Sequence, residues 1–186
     1  MERLPWARDL ARRLLAEPLP RRWAHTQGVG HRAESIASIA GEDTELLICA
    51  AWLHDIGYAP DLVKTGFHPL DGARYLRDVE RADDALCALV ANHSCAVIEA
   101  RNRNLLHELT TEFPEPSGPI LDALTYCDMT TSPDGGITSV TERLDEIFSR
   151  YEEGTVVNLS MREARPRILD VERKIGALLA SSPANP

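Results

Sequence analysis

Apolar positions in this chain recur every three or four residues, and nowhere do they alternate long enough to suggest a strand. Pro5 to Ala16 reads as a short amphipathic helix, with Trp6, Leu10 and Leu14 inward and Arg8 and Arg12 outward. Pro18 and Pro20 separate it from a second helix, where Val29, Ala33, Ile36 and Ala40 form the stripe. Leu47 and Ala50 mark a third, for which Gly57 offers a left-handed C-cap. A short helix follows through Gly72, Ala73 and Leu76, then one marked by Leu86, Leu89 and Val90, then one opened by Pro119 and carrying Leu121 and Leu124. Ser139 with Glu142 spells a capping box before Val140, Leu144, Ile147 and Tyr151, and Ser160 with Glu163 repeats that pattern. Pro166 is expected to kink or restart the last helix, about 160–180, which carries Ile168, Ile175 and Leu179. The polar stretch between His93 and Ser117, including Phe113-Pro114-Glu115-Pro116, reads as a flexible, lid-like insertion. Ser132 to Gly136 reads as a turn, Gly154 to Val157 is too short for a strand, and the tail from Ser181 to Pro186 is expected to be loose. There are no internal repeats. The expected fold is an all-α bundle of roughly six to eight helices in a single domain over residues 1–186.

Composition narrows this picture. Of the 186 residues, 44% are hydrophobic but only 5% aromatic, so the core must rely on Leu, Ile, Val and Ala. No apolar run reaches membrane-spanning length and no secretory leader is apparent, so a cytoplasmic location is expected, with no membrane partner. Cys49, Cys87 and Cys127 lie in apolar helical segments and read as small buried thiols, while Cys95 is not expected to be a ligand. The net charge of −9 argues against a nucleic-acid polymer as partner. It leaves room for a small phosphate ester, because bound cations would make a pocket locally positive.

The chemistry concentrates in a few polar residues on otherwise apolar faces. His25 lies one turn before Val29, on the inward side, whereas His31 is rotated outward with Gln27, Glu34 and Ser38. His54 shares a face with Leu47 and Ala50, His93 with Leu86, Leu89 and Val90, and Asp128 with Leu121 and Leu124. His68 stands just before Pro69 at the mouth of its helix, and Asp55 follows His54 directly. Any one of these alone reads as a hydrogen-bonded core residue. Four inward histidines and two aspartates on separate helices would together need several independent polar partners unless a metal served them all. Imidazole and carboxylate suit iron, manganese, zinc, cobalt or nickel, with no thiolate required.

The order His25, His54-Asp55, Asp128 resembles the HD-domain superfamily of metal-dependent phosphohydrolases. His25-Thr26-Gln27-Gly28-Val29 is similar to its first motif, His54-Asp55-Ile56-Gly57 spells the signature in its HDIG form, and Tyr126-Cys127-Asp128 resembles its closing motif. The likeness spans about residues 21–150. His68-Pro69-Leu70-Asp71-Gly72-Ala73 and Ala91-Asn92-His93-Ser94 are similar to the two further histidine motifs of the binuclear branch. That resemblance implies an HD-domain helical bundle around a metal site. It implies two divalent transition-metal ions, one held by His25, His54, Asp55 and Asp128 and the other by His68 and His93, with Asp55 bridging. Asp55 is thus the expected catalytic residue. Three residues after it, where some members carry lysine or glutamate, stands Tyr58, so the glutamate base of certain mononuclear nucleotidases is absent from that position. Lys64, Arg101 and Arg103 are the candidate phosphate contacts.

The expected activity is hydrolysis of a phosphate ester or anhydride of a small substrate, with nucleotides preferred, by metal-activated water. Two alternatives use the same residues: a di-iron oxygenase of the HD fold acting on a small organic substrate, and a non-catalytic nucleotide-binding sensor. The oligomeric state is left open.

Overall fold

The computed structural model describes residues 3–181. Among these the chain forms ten α-helices: α1 Arg3–Leu15, α2 Pro20–Ser35, α3 Thr44–Leu53, α4 His68–Asp78, α5 Asp84–Asn92, α6 Ala96–Asn102, α7 Leu106–Glu112, α8 Ile120–Met129, α9 Val140–Arg150 and α10 Val156–Ser181. The all-α expectation holds, and the only pairing of extended backbone among the described residues is an isolated bridge between Thr131 and Ile137. No described helix is long and apolar enough to cross a membrane.

The helix α3 is the centre of the packing. Its sequence TELLICAAWL is apolar on every side, and from Leu47 to Leu53 every residue is buried. A helix without a polar face has to be surrounded. α1, α2, α5 and α8 all pack against it. Its neighbours are amphipathic: α1 buries Ala7, Leu10, Ala11 and Leu15, a stripe rotated slightly from the expected one, so that Trp6 and Leu14 lie half-buried at its edge. A second, smaller cluster of Met129, Val140, Leu144, Ile147, Ala164 and Ile168 joins the end of α8 to α9 and α10.

Several local expectations need correction. The stripe from Val29 to Ala40 is not one helix. α2 ends at Ser35 and the chain continues as two short 3-10 turns. The stretch between His93 and Ser117 is no lid. It contains α6 and α7, with Ala100, Leu109 and Phe113 buried, and the Asn92 side chain donates to the Phe113 carbonyl at 3.0 Å. Helices of seven residues are too short to show a periodicity, which is also why the helix number exceeds the expected six to eight.

The capping box at Ser139 and Glu142 is present, but Ser160 lies inside α10 and its hydroxyl donates to the Val156 carbonyl at 2.7 Å. α10 also runs unbroken through Pro166. Pro166 is on the exposed face, so the carbonyl it leaves without a donor can turn to water. Ser181 closes α10, and the rest of the expected loose tail lies outside the described residues.

Gly57 is not a left-handed cap. It sits in a 3-10 turn, Ile56–Tyr58, and is glycine because a Cβ there would meet the His68 carbonyl oxygen at 2.0 Å. That close approach brings the start of α4 against the end of α3.

Candidate metal centre

Helix ends supply most of the ligand-type side chains. His54 is the C-cap of α3, His93 the C-cap of α5, His68 the first residue of α4, and Asp128 lies next to the end of α8. The last turn of a helix leaves carbonyls without intrahelical donors. His54 Nδ1 donates to one of them, Ala51 O, at 2.8 Å, and His93 Nδ1 does the same to Val90 O at 2.6 Å. His25 Nδ1 donates to Ser132 O at 3.0 Å, from the turn after α8. Gly28 admits that turn, since a Cβ there would meet Gly135 O at 2.4 Å. In all three rings Nδ1 is committed to backbone, which makes Nε2 the atom that faces inward.

These nitrogens converge with two carboxylates. His25 Nε2 lies 3.0 Å from Asp128 Oδ1 and 3.9 Å from Asp55 Oδ2, and His54 Nε2 lies 3.3 Å from Asp55 Oδ2. The other Asp55 oxygen, Oδ1, is 3.3 Å from His68 Nε2, which is itself 3.1 Å from His93 Nε2. The candidate ligand atoms form two groups, His25–His54–Asp128 and Asp55–His68–His93. Asp55 turns Oδ2 towards His25 and His54 and Oδ1 towards His68. All are buried except His68, which is partly open.

Two details of this arrangement suit a cation. His54 Nε2 is fully buried with no hydrogen-bond partner. His93 Nε2, a bare lone pair, points at another imidazole nitrogen, a contact that only a proton or a metal ion between them makes favourable. The donor set of imidazoles and carboxylates fits divalent transition metals.

The protein tunes these groups further. Burial works against the Asp55 carboxylate, yet Arg22 and His54 hold its pKa well below the usual range. Asp128 is likewise pulled down, its burial opposed by His25 and His54. His93 is pushed down to about 3 by burial and by the neighbouring His68 and His54, so it stays a neutral donor. His54 moves up despite burial, because Asp55 attracts its proton.

Three neighbours to which the sequence assigned no role at the site hold these side chains in place. Arg22 NH1 donates to Asp55 Oδ2 at 2.7 Å while its guanidinium lies 4.1 Å from the Tyr58 ring centroid. Tyr58 in turn stacks on the His68 ring, centroids 4.0 Å apart. Ser94 donates to Asp128 Oδ2. Ser94 and Cys95 both adopt left-handed backbone, with φ of 50° and 63°, each costing about 1–3 kcal/mol. The reversal they make sends His93 towards His68 and Ser94 towards Asp128. Cys95 itself lies away from the ligands, in a separate cleft with Asn92 and Asp122. Arg22 was legible in principle, being one turn before His25 on the same helical face.

The pocket above the ligands is lined on its far side by Arg143 and Arg150 of α9 and by Val157 and Met161 of α10. Arg143 occupies a place within the apolar stripe of Val140, Leu144 and Ile147, and that was its available signal. The proposed phosphate contacts lie elsewhere. The Lys64 side chain is exposed, and its backbone N–H donates to Asp71 at 3.0 Å. Arg101 pairs with Glu163 across the surface, and Arg103 turns to Glu99 at 2.7 Å. None of the three lines the pocket; short-range sequence proximity to a motif did not translate into proximity in space.

The HD-domain family profile matches residues 22–128, more than half of the chain. The chain belongs to the HD-domain family. No curated protein and no solved structure matches it. The matched segment of this HD domain contains His25, His54, Asp55, His68, His93 and Asp128 but stops before α9 and α10, which complete the pocket.

Proposed function

We propose that this HD domain is a metal-dependent phosphohydrolase acting on a phosphate ester or anhydride of a small substrate, with nucleotides as the favoured class. The observation that carries the reading is the pairing of six convergent ligand side chains with an arginine-lined wall over one pocket. His25, His54 and Asp128 would hold one ion and His68 and His93 a second, with Asp55 shared between them. Such ions, when bound, neutralise phosphoryl charge and activate water for attack.

The chain's own residues do the remaining work. Arg22 fixes the rotamer of Asp55 from the side away from His68, and Tyr58 braces both Arg22 and His68. Ser94 orients Asp128. Arg143 and Arg150 supply guanidinium donors to phosphoryl oxygens, whose paired acceptor geometry they match. The net charge of −9 favours a small diffusible substrate over a polymer.

The test is phosphate release from a panel of nucleotides and sugar phosphates with added manganese, cobalt or iron, with and without chelator. Activity should vanish with chelator, return with metal, and be lost in Asp55→Ala and Asp128→Ala. An intact panel in every metal, together with oxygen uptake by iron-loaded protein, would replace the hydrolase with the oxygenase.

A further inference from the structure

A second cleft of about 350 Å³ adjoins the metal pocket and shares Arg22, Tyr58, Arg143 and Arg150 with it. Its remaining walls are Pro18 and Leu19 from the link before α2, Pro20, Arg21 and His25 of α2, and Pro133 from the turn after α8. The two sides are tied by Arg21, whose Nε donates to Asp134 at 2.8 Å. The inner pocket, by contrast, holds only about 80 Å³, with the histidine and aspartate cluster and the arginines on one part of its wall and Met129, Ile147, Val157 and Met161 on another. It has room for a phosphoryl group and little more. The outer cleft, at the lower end of the roughly 300–1,000 Å³ typical of small-molecule sites, has room for one ring system.

Arg143 stands between the two. It is only 5% exposed, its NH1 donates to Glu146, and its Nε has no partner. A buried N–H left unpaired is costly, and such a group in a folded protein is normally met by water, an ion or a ligand. An anionic oxygen at the junction of the pockets would satisfy it. The chemistry of the outer cleft is also mixed: three prolines and a leucine give an apolar surface, and guanidinium planes favour flat rings. All the walls except Arg22, His25 and Tyr58 lie outside the segment that matches the family.

We propose that this outer cleft is the leaving-group subsite, taking the ring system of a nucleoside-sized organic phosphate while Arg143 binds a phosphoryl oxygen between the two pockets. The inference rests on the phosphohydrolase reading for the word "leaving", but the binding it describes can be measured without turnover. The substrate class becomes a phosphate monoester carrying a flat ring system rather than a simple sugar phosphate or inorganic polyphosphate.

The experiment is calorimetry on the metal-containing protein with two non-hydrolysable probes, methylphosphonate and the phosphonate analogue of adenosine monophosphate. The nucleoside phosphonate should bind at least about tenfold tighter than methylphosphonate. Pro18→Trp, on an exposed residue of the cleft, should abolish that advantage and leave methylphosphonate unchanged. Arg143→Met should weaken both probes about tenfold, with partial recovery in Arg143→Lys. Equal affinity for the two probes, or an advantage that survives Pro18→Trp, overturns the subsite, and this arm holds even if Arg143→Met fails to fold. Failure of the parent reading looks different: the binding pattern would persist while no phosphate ester of any kind was cleaved.

Discussion

The two walls of the metal pocket are held by different partners. On the ligand wall, His25, His54 and His93 are each anchored at Nδ1 by a backbone carbonyl, so their orientation is part of the helix framework itself. On the arginine wall, Arg143 and Arg150 both lean on the single carboxylate of Glu146, and the Arg143 Nε is left over. A backbone anchor cannot be exchanged without unfolding a turn, whereas a side-chain ion pair can rearrange without disturbing the helix that carries it. The comparison teaches that one wall is fixed by the helix framework, as a site for an ion would need, while the other rests on side-chain pairs that can rearrange.

The largest effect should come from removing a member of the rigid wall. His54→Ala should lose most of the bound metal by elemental analysis and cut phosphate release on the order of 10³-fold or more. The exposed His31, which only makes an edge contact with Trp52, is the internal control, and His31→Ala should retain both. Full metal in His54→Ala would dismantle the ligand wall as described.

Next in size is Gly57→Ala, which drives a methyl group into the His68 carbonyl and must push α4 away. We expect a loss of about 1–3 kcal/mol in denaturant unfolding. Metal stoichiometry should fall with it, since His68 moves too. Unchanged stability and stoichiometry would mean that α4 yields freely and the wall is not rigid.

On the arginine wall, Ser139→Ala removes the capping box of α9 and should cost about 0.5–2 kcal/mol. If that wall is the adaptable one, KM should rise more than kcat falls, with metal content unaltered. A loss of metal would erase the distinction between the walls.

The smallest effect concerns the buttress behind His68. Glu112 of α7 receives Arg74 and Arg77 of α4, and these cations hold its pKa below the usual value. A carboxylate with a depressed folded pKa adds stability above its unfolded pKa, and that stability is lost as pH falls through the folded one. Glu112→Gln should therefore lower stability by up to about 1 kcal/mol near pH 7 and make no difference once both states are protonated in acid. A penalty that persists in acid would mean that packing rather than charge joins α7 to α4.

Periodicity and motif order determined much of this protein. The inward positions of His25, His54, His93 and Asp128 follow from residues three or four apart on a helix, and the outward position of His31 follows from the same rule. The capping box at Ser139 was legible because its hydrogen bonds close within four residues. Other features depended on distant segments meeting. Gly57 is explained by His68, and Gly28 by Gly135, through contacts that no local pattern encodes. Lys64, Arg101 and Arg103 lie near the motifs along the chain, yet none of them lines the pocket. The pocket instead takes Arg143 and Arg150 from a helix beyond the last motif, brought there when α9 and α10 close their own small core against α8. Short-range geometry is written into the sequence because backbone hydrogen bonds act over a few residues. Which cations face the histidine and aspartate cluster was decided only by helix packing, where burial of apolar area fixes the partners.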